Sequence, residues 1–159
     1  METFLGILEE TPWWVYLLFI YLVFMGIKAL SPRFVPIKKL IILPAVFTVW
    51  GALGLQWGLG TLLFWLIALA AGCGLGWISV RRWKIRFDRR RDALHLPGSP
   101  STLILALLFF SVKYFFGYYS ATQPEIPDGM RLAQAAVSGL LAGMFIGRLF
   151  FFWKKHEED

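Results

Sequence analysis

"IILPAVFTVWGALGLQWGLGTLLFWLIALAAGCGLGWISV" occupies residues 41–80, and no Asp, Glu, Lys or Arg interrupts it. As a single helix this run would be roughly 60 Å long at about 1.5 Å per residue. That is about twice the roughly 30 Å hydrocarbon layer of a bilayer. The run therefore reads as two membrane spans, 40–57 and 60–80, with Gly58 and Gly60 supplying the turn. Working outwards, the same requirement for about 20 mainly apolar residues predicts further spans at 12–30, 101–119 and 131–152. Thr11 is a candidate N-cap for the first, with Pro12 at its first helical position, and Ser31-Pro32 closes it. Ser99, Ser101 or Thr102 can cap the fourth, with Pro100 near its start. The expected fold is an all-α integral membrane protein, a five-helix transmembrane bundle forming one membrane domain over 1–159.

Composition agrees. The chain is 58% hydrophobic and 16% charged, where soluble domains lie near about half and about a quarter. A net charge of +6 would suggest nucleic acid in a soluble protein. In a membrane protein basic residues gather in cytoplasmic loops. With five spans, fourteen of the 16 Lys and Arg residues fall on one side, leaving Lys113 and Arg131 on the other. The positive-inside rule then puts the N-terminus outside and the C-terminus in the cytoplasm. An even number of spans would mix the two faces. Trp13, Trp14, Trp57, Tyr118 and Tyr119 fall near the outer interface, and Trp77, Trp83, Phe152 and Trp153 near the inner one, as an aromatic belt requires. Trp50 and Trp65 lie deeper and read as packing residues. The N-terminus carries Glu2, Glu9 and Glu10 in place of a signal peptide's positive region, so the first span reads as retained. Phe4, Ile7 and Leu8 stand at helical spacing, for either a short surface helix or an extension of that span.

The stretch "RRWKIRFDRRRDALHLPGSP" at 81–100 begins with seven of the basic residues. Trp83, Ile85 and Phe87 alternate with Lys84, Arg86 and Asp88, and Leu94 and Leu96 flank His95. Period-two alternation predicts a short cytoplasmic β-hairpin between spans three and four, with "DRRRD" in the turn. An amphipathic helix is the competing reading. Arg82, Lys84, Arg86, Arg89, Arg90 and Arg91 are expected at anionic lipid headgroups, which leaves no need for a nucleic-acid partner.

Chemistry is sparse. Lys113, in "FFSVKYFFGYY", stands inside a predicted span, where a charge is a functional-site hypothesis by default; snorkelling to the outer surface is the plainer reading. Gln134 and Ser138 can reach the same layer, as can Gln56 and Tyr16. A cation there would suit an anionic ligand or a quinone carbonyl. Arg148, near the inner end of the last span, is expected to snorkel to headgroups. Ala135, Gly139, Gly143 and Gly147 recur every four residues, as do Ala68, Gly72 and Gly76. Such faces let helix backbones approach closely in lipid, within the bundle or across a dimer seam. One cysteine, Cys73, lies among glycines in an apolar run, and no disulfide framework or CxxC pair exists. His95 and His156 are too few and too separated for a metal cluster, and no nucleotide-binding or hydrolase motif is present. No metal and no cofactor is expected.

"TPWWVY", "FDRRRDALHLPGSPSTLILALLFFSVKYFFG" and "GLLAGMFIGRL" together resemble a family of small five-span bacterial inner-membrane proteins of unknown function. In that family an "LHLPGS" segment precedes a span containing "KY". The resemblance covers nearly the whole chain, and Pro100 after "PGS" departs from it in a minor way. It implies the topology and a bacterial inner-membrane location, and carries no activity. Three function classes fit these residues: a non-enzymatic accessory or scaffold protein, a small oligomeric transporter or channel using Lys113, and a lipid- or quinone-acting enzyme. The scarcity of titratable clusters argues against the last. Partners are membrane lipids, with room for a homo-oligomer or a membrane-protein partner.

Overall fold

The computed structural model describes Gly6, Glu9 and residues 11–53, 55 and 58–158. The rest of the 2–10 segment, with Gln56 and Trp57, lies outside the described residues. Five helices carry the fold: α1 (Trp13–Lys28), α2 (Ile37–Leu53), α3 (Leu59–Val80), α4 (Pro100–Thr122) and α5 (Asp128–Glu158). Three of them, α3, α4 and α5, are long and apolar enough to cross a membrane. The apolar α1 has 16 residues and α2 has 17, with Pro44 inside it. Pro44 brings no N–H to the Leu40 carbonyl. Its own carbonyl accepts from Thr48 Oγ1 at 2.7 Å.

Several boundaries move from expectation. Pro12 stands at the N-cap of α1, not inside it, and Thr11 supplies no cap. Its hydroxyl instead hydrogen-bonds the Tyr114 hydroxyl at 2.6 Å. Ser99 does cap α4, accepting from the Ser101 amide at 3.2 Å, with Pro100 opening the helix. Helix α5 runs on to Glu158, well past the expected end at 152.

Side-chain contacts fix the helix directions. Gly26 of α1 meets Leu103, and Phe19 meets Phe110, so α1 and α4 run antiparallel. Phe47 of α2 packs on Phe145, and Gly51 on Ser138, so α2 and α5 are antiparallel. Gly139 and Gly143 of α5 meet Trp65 and Leu69 of α3 in the same order, so these two run parallel. Successive helices therefore alternate in direction. The bundle core is Leu22, Phe47, Leu105, Ala106, Phe109, Leu141, Ala142 and Phe145. Large apolar side chains also face outward, among them Ile20, Phe24, Leu63, Ile67 and Ile78. An apolar outside of this extent calls for a nonaqueous neighbour.

One end is closed by a sheet. The expected hairpin exists as β2 (Arg86–Asp88) and β3 (Ala93–Leu96), with Asp92 at φ 46° in its turn. The sheet has a third member that the sequence reading missed. Strand β1 (Arg33–Pro36) pairs antiparallel with β3, so β3 is central in the order β1-β3-β2. Register aligns Val35 with Leu94 and Phe87, and Phe34 with His95 and Arg86. The first row packs with Val80, Ile85 and Phe152 against the helix ends. In the second, the Phe34 ring packs tilted against His95 at 5.0 Å and takes the Arg91 guanidinium at 4.8 Å.

Candidate functional site

Helix α2 stops at Leu53, leaving its last carbonyls without intrahelical partners. Leu55 N–H satisfies the Ala52 carbonyl at 3.1 Å. The Gly51 carbonyl is satisfied from two other helices. Lys113 Nζ of α4 donates to it at 3.2 Å, and Ser138 Oγ of α5 at 3.4 Å. Both donors are buried, Lys113 at 8% exposure and Ser138 at 1%. Lys113 therefore does not snorkel. It lies roughly 14 Å from the end of α4 at about 1.5 Å per residue, and its charge is held against the negative end of the α2 dipole, where a cation is stabilising.

Two of the three residues expected in this layer, Lys113 and Ser138, thus meet at one acceptor. Gln134 is half-buried one turn away on α5. Two further members were not expected. Gly51 lets Ser138 approach, since a Cβ there would stand 3.2 Å from Ser138 Oγ and 4.0 Å from Trp65 Nε1. The Trp65 indole N–H is buried without a hydrogen-bond partner among the described residues. A cavity of about 280 Å³ opens beside Lys113, bordered by Trp14, Trp50, Tyr114 and Tyr118.

Arg148 occupies the opposite half of the bundle. It is 6% exposed, which corrects the expectation that it reaches out to the surface. Its Nε donates to Ser79 Oγ at 3.3 Å and one terminal nitrogen to Thr102 Oγ1 at 3.4 Å. The guanidinium lies 5.7 Å from the Trp83 ring. The basic residues of the hairpin point the other way: Arg82, Lys84, Arg86, Arg89, Arg90 and Arg91 are all exposed.

The glycine rows face one another inside one chain. A Cβ on Gly72 would meet the Leu140 carbonyl oxygen, and one on Gly76 that of Met144. Gly139, Gly143 and Gly147 approach the carbonyls of Trp65, Leu69 and Cys73 in the same way. Ala135 is fully buried and Ala68 half-buried in their rows. Backbone contact this close places Cα–H groups against carbonyl oxygens, a weak attraction that recurs at helix interfaces.

The "LHLPGS" segment is the junction between sheet and bundle. Leu94 and Leu96 are buried beneath the sheet. Gly98 passes so close to the Leu30 carbonyl that a Cβ would strike it, and the Ser99 amide donates to the Ala29 carbonyl at 3.0 Å. The segment thereby ties the end of α1 to the start of α4.

These features define a mostly helical protein with apolar helices long enough to cross a membrane, closed at one end by a small antiparallel sheet. The chain belongs to the family of unknown function DUF6622, which it matches over residues 2–156. No curated protein and no solved structure matches it.

Proposed function

We propose that the chain is a five-span protein of the bacterial inner membrane, N-terminus outside and C-terminus in the cytoplasm, acting as a non-enzymatic accessory or scaffold. One observation carries the non-conducting part of this reading. Phe47 packs on Phe109 at 4.3 Å and on Phe145 at 4.7 Å between ring centroids. All three are nearly inaccessible and lie between the layer of Lys113 and that of Arg148. A transport path would have to cross this aromatic block. The alternating helix directions support five spans, with α1 and α2 short enough to need snorkelling or local thinning at their ends. The sheet end carries most of the basic residues, which supports the cytoplasmic assignment.

Alkaline phosphatase and green fluorescent protein fusions at Leu53, Val80, Thr122 and Glu158 test the topology. Phosphatase activity is expected at Leu53 and Thr122, and fluorescence at Val80 and Glu158. Any other pattern removes the five-span assignment. A second reading, a small oligomeric transporter with Lys113 in an outer-facing site, is favoured by the cavity beside Lys113. Anion flux in proteoliposomes separates the two. Flux at the level of empty vesicles supports the accessory role, and flux lost in Lys113→Met would establish transport.

A further inference from the structure

The short link between α1 and α2 is used up by strand β1, which pairs with β3 instead of letting the two helices pack together. Helix α1 packs on α4 and α2 packs on α5. A cleft of about 410 Å³ is left between them at the sheet end of the bundle. That is within the range of about 300–1,000 Å³ usual for small-molecule sites.

The cleft has two chemically distinct parts. Four cations line it: Lys28 at the end of α1, Arg33 on β1, Lys39 on α2 and Arg148 on α5. No carboxylate lines it among the described residues. The ion pairs among the described residues involve Arg91, Arg131, Lys154 and Lys155 and none of these four. Among the described residues Arg148 has two long hydroxyl contacts for its five N–H donors, besides the face of the Trp83 ring. Burial of Arg33 pushes its guanidinium down from its ordinary value, with no anion there to offset the loss of water. Apart from the Thr102 and Tyr21 hydroxyls the rest of the wall is apolar, and Tyr21 and Ile42 are exposed at its rim. The cleft is therefore open sideways, on the face where the apolar surface of α1 and α2 begins.

We propose that this cleft holds one anionic membrane phospholipid, its phosphate among Lys28, Arg33, Lys39 and Arg148 and one acyl chain against the apolar wall. Charge complementarity selects the headgroup, because a buried guanidinium without a carboxylate is matched by the fork geometry of a phosphate. The lateral opening and apolar wall select a lipid over a free phosphate. Basic pockets between helices at the cytoplasmic side suit such headgroups. The proposal rests on the membrane reading above, but its test does not depend on topology.

The experiment is native mass spectrometry of the full chain in mild detergent, titrated with phosphatidylglycerol or phosphatidylcholine. One phosphatidylglycerol per chain is expected to be retained, with phosphatidylcholine at least about tenfold weaker. Arg33→Gln and Arg148→Gln should each weaken phosphatidylglycerol by about fivefold. Leu43→Trp, which fills the apolar wall and keeps all four cations, should weaken both lipids. It also keeps the test decisive if Arg148→Gln does not fold. The triple change Arg89→Gln, Arg90→Gln and Arg91→Gln, at the exposed turn, should leave retention unchanged. Equal retention of the two lipids would overturn the proposal. So would unaltered retention in Leu43→Trp, greater loss from the turn variant than from the cleft variants, or glycerol phosphate binding as tightly as the lipid.

Discussion

Lys113 of α4 donates to the Gly51 carbonyl at the end of α2, across 62 positions of sequence, and makes a buried lysine the cap of another helix. Ser138 shares that acceptor from α5. Three helices are thus pinned at one backbone oxygen by two buried donors.

Removal of one donor should be tolerated, and removal of both should not. Lys113→Met and Ser138→Ala are each expected to cost about 0.5–1.5 kcal/mol. The double variant leaves the carbonyl unpaired and should cost about 1–3 kcal/mol beyond the sum. Thermal unfolding of the four proteins in mild detergent measures the coupling. Strict additivity would show that the two side chains do not share the Gly51 oxygen.

The glycines of α3 differ in what surrounds them, although they look alike in sequence. A Cβ on Gly76 would meet the Met144 backbone, whereas Gly74 has nothing within 4 Å. Gly76→Ala should therefore force α3 and α5 apart at a cost of about 1–3 kcal/mol. Gly74→Ala should be neutral or stabilising by up to about 1 kcal/mol, from helix propensity alone. Denaturation midpoints in detergent check the pair. Equal effects would remove the packing explanation.

The sheet-to-bundle junction should show two separable costs. Ser99→Ala removes the cap of α4 and is expected to cost about 1 kcal/mol. Gly98→Ala drives a methyl group into the Leu30 carbonyl, so it should cost more and loosen the end of α1 as well. Hydrogen exchange at Ala29 and Leu30 reports this. Slow exchange there in Gly98→Ala, equal to the parent chain, would contradict the tie.

The apolar runs were legible because bilayer thickness sets helix length, and α3 to α5 meet that length outright. The glycine faces were legible because helical spacing alone puts Gly139, Gly143 and Gly147 on one side. The hairpin was legible from the alternation around Phe87 and Leu94. Strand β1 was not, because Phe34 and Val35 stand between Pro32 and Pro36. A four-residue segment with a terminal proline becomes a strand only by lying at the edge of a sheet. Lys113 was visible as an anomaly, but its partner was not. Which carbonyl it caps depends on where α2 ends relative to α4, and that is a matter of tertiary register. Arg148 was visible as a cation near the end of its span, but the side chains that keep it from extending to the surface were not. Snorkelling assumes free space along the helix, and Ser79, Thr102 and Trp83 occupy that space.

Trp65 offers the last test, since it read from sequence as a packing residue and the structure gives it a cost. Its indole N–H is buried beside the Gly51 layer with no acceptor among the described residues. A Cβ on Gly51 would stand 4.0 Å from its nitrogen, and the Gly51 carbonyl is already shared by Lys113 and Ser138. An unsatisfied buried donor costs about 1–3 kcal/mol, while removing it with its shape largely kept is nearly neutral or favourable. Trp65→Phe gives up some buried ring area, about 25 cal/mol per Å², and removes the orphan donor. The donor should outweigh the area, so Trp65→Phe is expected to unfold at the parent temperature or above it. Thermal unfolding in mild detergent measures this, and a Trp65→Phe midpoint well below that of the parent chain would mean that the indole N–H is not an unsatisfied donor.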